Sequence, residues 1–236
     1  LPIYAQSGNG CKLYDFDGNS YIDFLNNYTA LIHGHAHPVI AETVAEQLKK
    51  GSSFAAPTRS QYLLAELMCE RVESVEQIRF CNSGTEATMN AIRAARVVTG
   101  RSKIVKMEGG YHGTHDLAEV SINPSLEDAG PVHRPRAVPT NPGIPKSVLE
   151  DLIVVPYNNK EVTESIMTQH KDEIACVIVE PMLGAVGTIA QENGYLEFLR
   201  NLTKSLNILL IFDEIVTFRL GFGGAQAMYG IKPDLT

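Results

Sequence analysis

Ile208-Leu209-Leu210-Ile211-Phe212-Asp213-Glu214 is the stretch that decides the fold. Its apolar, branched run reads as a strand buried on both faces, the mark of a parallel sheet covered by helices. Two carboxylates follow at once, where such a strand leaves the sheet. Upstream, further candidate buried strands are Gln77–Cys81, Lys103–Met107, Leu152–Val155 and Ala175–Val179. Between them the apolar spacing turns helical, over Glu86–Thr99 with Gly100 as a stop, over Lys160–His170 and over Tyr195–Leu206. Strand alternating with helix predicts an α/β fold with a mostly parallel sheet and helices on both faces. The stretch Ser121–Lys146 carries six prolines and no periodicity, so it reads as one long surface loop.

Toward the N-terminus the pattern changes. Gly10–Tyr14 and Ser20–Phe24 flank a turn with Asp17-Gly18 and read as a small antiparallel lead-in. Pro38 then sits where a first-turn proline belongs, Ile40, Val44 and Leu48 keep helical spacing, and Gly51 ends the helix. A second helix is expected over Arg59–Val72. The expected division is residues 1–50 as an N-terminal segment and 51–236 as the large sheet domain.

The 236 residues, 44% of them hydrophobic and 20% charged, suffice for a real core. A net charge of -7 without a basic cluster argues against a nucleic-acid partner, since phosphate backbones are held by grouped Lys and Arg. Cys11, Cys69, Cys81 and Cys176 are scattered, which suggests neither a zinc knuckle nor a disulfide framework and points to a reducing, cytoplasmic compartment. No apolar run approaches the roughly 20 residues that span a bilayer, so no membrane partner is expected.

Ligands of open parallel sheets sit beyond the carboxyl ends of the strands. The residues there are polar and specific. Asn82-Ser83-Gly84-Thr85-Glu86-Ala87 opens a helix: Gly84 lets a ligand approach the backbone, Ser83 and Thr85 offer hydroxyls, and the free N–H groups favour an anion. Ser83 or Thr85 serves equally as a plain helix cap. Glu108-Gly109-Gly110-Tyr111-His112-Gly113 places an aromatic ring and an imidazole in a tight turn, fit for stacking on a planar ligand or for packing. Asp213 needs a cation or hydrogen-bond donors at the mouth of an apolar sheet. A protonated pyridine nitrogen, a magnesium ion or a structural salt bridge would each meet that need. Glu180-Pro181 ends another strand in the same way, and Glu180 either faces the ligand or pairs within the sheet. His33, His35 and His37 flank Gly34 and precede Pro38, which favours a turn over a metal site, and no metal is expected.

Together, in this order, Gly34-His35-Ala36-His37-Pro38, Asn82 to Ala87, Gly110-Tyr111-His112-Gly113, Glu180-Pro181, Phe212-Asp213-Glu214 and Pro233-Asp234-Leu235-Thr236 resemble the class III, fold type I, pyridoxal 5'-phosphate (PLP) dependent aminotransferases. The resemblance covers nearly the whole chain. It implies a homodimeric enzyme that moves an amino group between an amino acid and a keto acid. It also implies that Ser83, Gly84 and Thr85 hold the PLP phosphate, that Tyr111 covers one ring face with His112 beside it and Glu180 close by, that Ile215 packs on the other face, and that Asp213 bonds the pyridine nitrogen. Two branches are similar. The long proline-rich loop with Asn141-Pro142-Gly143-Ile144-Pro145 looks like the glutamate-1-semialdehyde 2,1-aminomutases. Tyr28-Thr29-Ala30, Glu180 to Ala185 and Arg219-Leu220 with Gly223 to Gln226 look like the β-amino-acid transaminases. Aminomutases typically carry a tryptophan at the substrate-facing position, whereas this sequence has Tyr28 and no tryptophan. The resemblance further places the Schiff-base lysine a few residues past Asp234-Leu235-Thr236, so that the chain reads as a fragment; Lys106 and Lys232 read as solvated side chains. A nucleotide-binding protein of doubly wound type is the rival, without a G-x-x-x-x-G-K-[ST] or G-x-G-x-x-G motif to support it. A non-catalytic module that holds PLP or phosphate is the third reading.

Overall fold

The computed structural model describes residues 2–236, which form two compact units, one running to Tyr62 and one from Leu63 to Thr236. In the first unit β1 (Ala5–Asn9), β2 (Lys12–Asp15) and β3 (Ser20–Ile22) make an antiparallel meander. Asp15 builds its turn: the carboxylate accepts from the amides of Asp17 and Asn19, from Asn19 Nδ2 and from the Tyr21 hydroxyl. The strand β1 was not expected; the Gly8 and Gly10 in and after it dilute the alternation that marks a strand. Next comes α1 (Pro38–Leu48), with Pro38 in its first turn as expected, and α2 (Arg59–Arg71) runs across the division.

The second unit is built on a parallel sheet of β4 (Lys103–Met107), β5 (Leu152–Val155), β6 (Ile174–Val179) and β9 (Leu209–Phe212), in the order β5-β4-β6-β9. Two short strands, β7 (Met182–Leu183) and β8 (Ile189–Ala190), form a separate hairpin after β6. The helices are α3 (Gly84–Thr99), α4 (Leu126–Ala129), α5 (Lys146–Glu150), α6 (Lys160–Gln169), α7 (Tyr195–Ser205) and α8 (Gly224–Tyr229). Strand period sorts the core into two layers. Val105, Met107, Val177, Val179, Leu210 and Phe212 meet Met167 of α6 and Leu196 and Leu199 of α7. Ile104, Cys176, Ile178 and Ile211 meet Ile92 and Ala95 of α3 on the other face. Each fully buried Leu, Ile or Phe is worth about 1.5–3 kcal/mol, so both layers hold the sheet firmly behind its polar mouth.

Two expectations fail here. Gln77–Cys81 forms no strand: a ladder needs a neighbour, and among the described residues the free edge of β9 is met only by a parallel bridge between Ile211 and Leu235. Lys106 is not solvated. Its residue is 0% exposed, because the same period that buries Ile104 turns Lys106 to the α3 face of the sheet. Lys232, by contrast, is exposed. The stretch Ser121–Lys146 is irregular apart from the single turn of α4, in keeping with its prolines.

Candidate active site

The mouth of the sheet is made by the ends of β4, β6 and β9 and by the start of α3. At α3 the backbone of Ser83 is extended and its hydroxyl accepts from Glu86 N at 3.2 Å, while Glu86 Oε2 accepts from Asn82 N at 2.8 Å. This reciprocal cap leaves the amides of Gly84 and Thr85 without intrahelical acceptors and the positive end of a 16-residue helix facing the mouth. A side chain built on Gly84 would find only Ile215 Cδ1, at 3.9 Å, so the space over these amides is open.

The turn after β4 is stitched to that helix. Thr88 Oγ1 donates to His112 O at 2.7 Å, and Thr114 N donates to Thr85 Oγ1 at 3.1 Å. Gly113 makes the approach possible, since a Cβ there would lie 2.5 Å from Thr85 Oγ1, at a φ of +98°. Tyr111 remains 40% exposed, while its backbone amide donates to Glu180 Oε2 at 2.9 Å.

Asp213 lies between the two loops. Its amide donates to Val179 O at 2.9 Å, continuing the β6 pairing past β9. Oδ1 accepts from Ile215 N at 3.2 Å, and Oδ2 lies 2.9 Å from His112 Nδ1. An ionised carboxylate can only accept, so His112 carries its proton on Nδ1. His112 Nε2 is buried and has no hydrogen-bond partner among the described residues. Ile215 is 59% exposed and projects beside Gly84.

Glu180 is buried, and its two oxygens take the amides of Tyr111 and Gly184, the latter at 3.1 Å. It thereby ties the Tyr111 turn to the hairpin of β7 and β8. Burial pushes its carboxyl above the usual range, and the two amides and His112 oppose that shift. His115, half-buried, is pushed down by the same loss of water.

The geometry thus brings together Ser83, Gly84, Thr85, Tyr111, His112, Glu180, Asp213 and Ile215. Tyr28 belongs to the first unit, with its side chain exposed and a φ of +52°. Glu214 was missed by the sequence reading. It turns away from Asp213 into the protein and accepts from the amides of Ala225 and Gln226, from Gln226 Nε2 and from the Thr217 hydroxyl. The adjacent pair Gly223-Gly224 was the available signal, because a Cβ on Gly224 would lie 2.8 Å from both Glu214 oxygens. Among the described residues no group of three His, Cys, Asp or Glu could hold a metal ion.

These donors and surfaces suit a flat, anionic ligand with a cationic ring atom. An anion would meet the Gly84 and Thr85 amides and a cation would meet Asp213. A family model described as class-III aminotransferase matches residues 1–236. A glutamate-1-semialdehyde 2,1-aminomutase of Methanothermobacter thermautotrophicus is 47% identical over 235 residues, which are 99% of this chain and 54% of that protein. An omega-transaminase from Sphaerobacter thermophilus superposes with a TM-score of 0.94 at 46% identity, over 99% of this chain and 53% of the other. A transaminase solved with PLP bound superposes with a TM-score of 0.90 at 37% identity, again over 99% and 53%. The chain spans about half the length of the curated relatives it matches.

Proposed function

We propose a function from one premise: this chain belongs to the class-III aminotransferase family. The whole protein uses PLP to move an amino group between an amino acid and a keto acid. The observation that carries this reading is Asp213, a carboxylate at the sheet mouth buttressed by His112 at 2.9 Å and facing the open start of α3. Bound PLP supplies an electron sink that stabilises negative charge at the substrate carbon.

The residues of this chain serve that chemistry in separable ways. Gly84 and Thr85 would hold the phosphate with their amides, and the hydroxyl protons of Ser83 and Thr85 add donors. Tyr111 and Ile215 would cover the two ring faces and keep water from them. Asp213 would keep a proton on the ring nitrogen, since an adjacent negative charge raises that nitrogen's proton affinity. His112 orients the carboxylate, and Glu180 holds the Tyr111 turn in place. No lysine of this chain is assigned to bond PLP covalently: Lys106 has its ammonium on two carbonyls and Lys232 is exposed.

Among amino donors, a β-amino acid is favoured by the segments at Tyr28, at Glu180 to Ala185 and at Gly223 to Gln226. The second reading, a glutamate-1-semialdehyde 2,1-aminomutase, is favoured by the 47% identity to such an enzyme. We place Tyr28 toward the substrate, residues 1–50 in an N-terminal segment and 51–236 in the PLP-binding domain. A homodimer is supported by α1, which buries none of its residues and leaves Val39, Ile40, Val44 and Leu48 exposed. A cytoplasmic setting is supported by the four free cysteines, and no described helix is long and apolar enough to cross a membrane.

The test is an absorbance spectrum of the whole protein with and without borohydride. A visible band that borohydride abolishes is expected. Absence of a bound chromophore after PLP is added would overturn the proposal. Transfer of the amino group of a β-amino acid to pyruvate or 2-oxoglutarate, which leaves the donor as its keto acid, against conversion of glutamate-1-semialdehyde without an added keto acid then separates the two readings.

A further inference from the structure

We infer that Lys106 is a positioning residue: its buried ammonium closes the loop that presents Tyr111 and His112 by holding the carbonyls of Ala118 and Val120. The loop leaves β4 at Glu108 and returns at Val120. Its neck is pinned once by Gly109 N donating to Ser121 O at 2.9 Å. Inside that neck Lys106 Nζ donates to Ala118 O at 3.1 Å and also to Val120 O. Ala118 and Val120 are both buried, so their carbonyls need a donor. Among the described residues Lys106 is the only one that supplies it.

The cost of this arrangement shows that it is not ordinary packing. Burial pushes the Lys106 amine down to about 8, opposed by the charges of Glu180 and Glu119. A methionine would fill the same space without losing the hydration of an ammonium, and apolar replacements of buried charges are often neutral or stabilising. What methionine cannot do is satisfy two carbonyls on the returning strand of a loop. Between those pins lie Tyr111, held by Glu180, and His112, held by Asp213, so slack at the neck is transmitted to both. The charge of Lys106 also acts on Glu180, the residue that takes the Tyr111 amide.

The consequence for the cofactor rests on the PLP reading above; the closure of the loop does not. The experiment compares the whole wild-type protein with Lys106→Met by hydrogen exchange of peptides from Glu108 to Ser121, by PLP titration, and by visible circular dichroism at saturating PLP. The expected result is at least tenfold faster exchange in that loop, with peptides from Ile174 to Val179 unchanged. PLP binding should weaken at least tenfold, and the dichroic signal of the bound cofactor should fall by more than half. Exchange and affinity both within twofold of wild type would overturn the inference, as would a loosened loop with unaltered PLP binding. A second measurement needs no variant: in the native protein, acetic anhydride should modify Lys232 at least tenfold faster than Lys106, and equal rates would sink the assignment. A wild-type protein that binds no PLP would refute the functional reading alone, leaving exchange and acetylation to judge Lys106.

Discussion

Two neighbouring carboxylates, Asp213 and Glu214, should fail in different ways when neutralised. Glu214 is buried and accepts four hydrogen bonds: Oε1 takes Gln226 N at 3.0 Å and Gln226 Nε2 at 3.1 Å, and Oε2 takes Ala225 N at 2.7 Å and Thr217 Oγ1 at 3.1 Å. In Glu214→Gln one of those oxygens becomes an NH2 group. A hydroxyl or a side-chain amide can turn to suit it, but a backbone N–H cannot, so either orientation aims the amide of Ala225 or of Gln226 at another donor. The loss is one charge-assisted bond, about 1.5–3 kcal/mol, and one stranded buried donor, about 1–3 kcal/mol, which together come to about 2.5–6 kcal/mol. That is a large part of the 5–15 kcal/mol typical of a domain. Asp213→Asn loses less: its amide oxygen can keep Ile215 N and its NH2 can donate to His112 Nδ1, but the imidazole proton then sits on Nε2, a buried atom without a partner among the described residues, so about 1–3 kcal/mol is expected. Urea unfolding of both variants, followed by circular dichroism, should show the larger fall in midpoint for Glu214→Gln, at an unchanged slope, and a smaller fall for Asp213→Asn. Equal midpoints for the two, or a shift under about 1 kcal/mol for Glu214→Gln, would refute the division of labour drawn from these bonds.

Other consequences are open to direct measurement. Asp213→Asn in the whole protein should lower turnover at least a hundredfold, about 3 kcal/mol in barrier height, and near-normal turnover at saturating PLP would contradict the ring-nitrogen role. Gly113→Ala forces a Cβ to within 2.5 Å of Thr85 Oγ1 at a φ of +98°, so it should lower the melting temperature and weaken PLP binding together, an effect that Gly187→Ala, with nothing within 4 Å, should not reproduce in binding. Because the Lys106 amine loses its proton at about 8 when folded and at 10.5 when unfolded, the unfolded state binds more protons between those values; this residue's contribution to stability should rise with pH across that window, by roughly 3 kcal/mol at most, and the rise should vanish in Lys106→Met.

The legible parts of this molecule are those whose cause is local. The strands Leu152–Val155 and Leu209–Phe212 fall where continuous apolar runs predict them, because burial on both faces needs only the run itself. Glu180 and Asp213 were visible as polar residues directly after such runs, since a parallel sheet sends every strand end to the same edge, whereas Ser83 to Thr85 stand at a helix start that no strand precedes. Gln77–Cys81 misled because a strand exists only with a neighbour, and no local pattern supplies one. Lys106 misled for the opposite reason: residue type was allowed to outweigh position. In Ile104-Val105-Lys106-Met107 the period of two already puts the lysine on the face of Ile104, and an ammonium there must find acceptors or remain uncharged. The same period separates Asp213 from Glu214. Consecutive side chains leaving a strand point to opposite faces, so one carboxylate meets His112 at the sheet mouth and the other takes the amides that open α8. A polar residue inside or just after a buried run is therefore best assigned by the face it is forced onto, and its chemistry follows from the partners that face supplies.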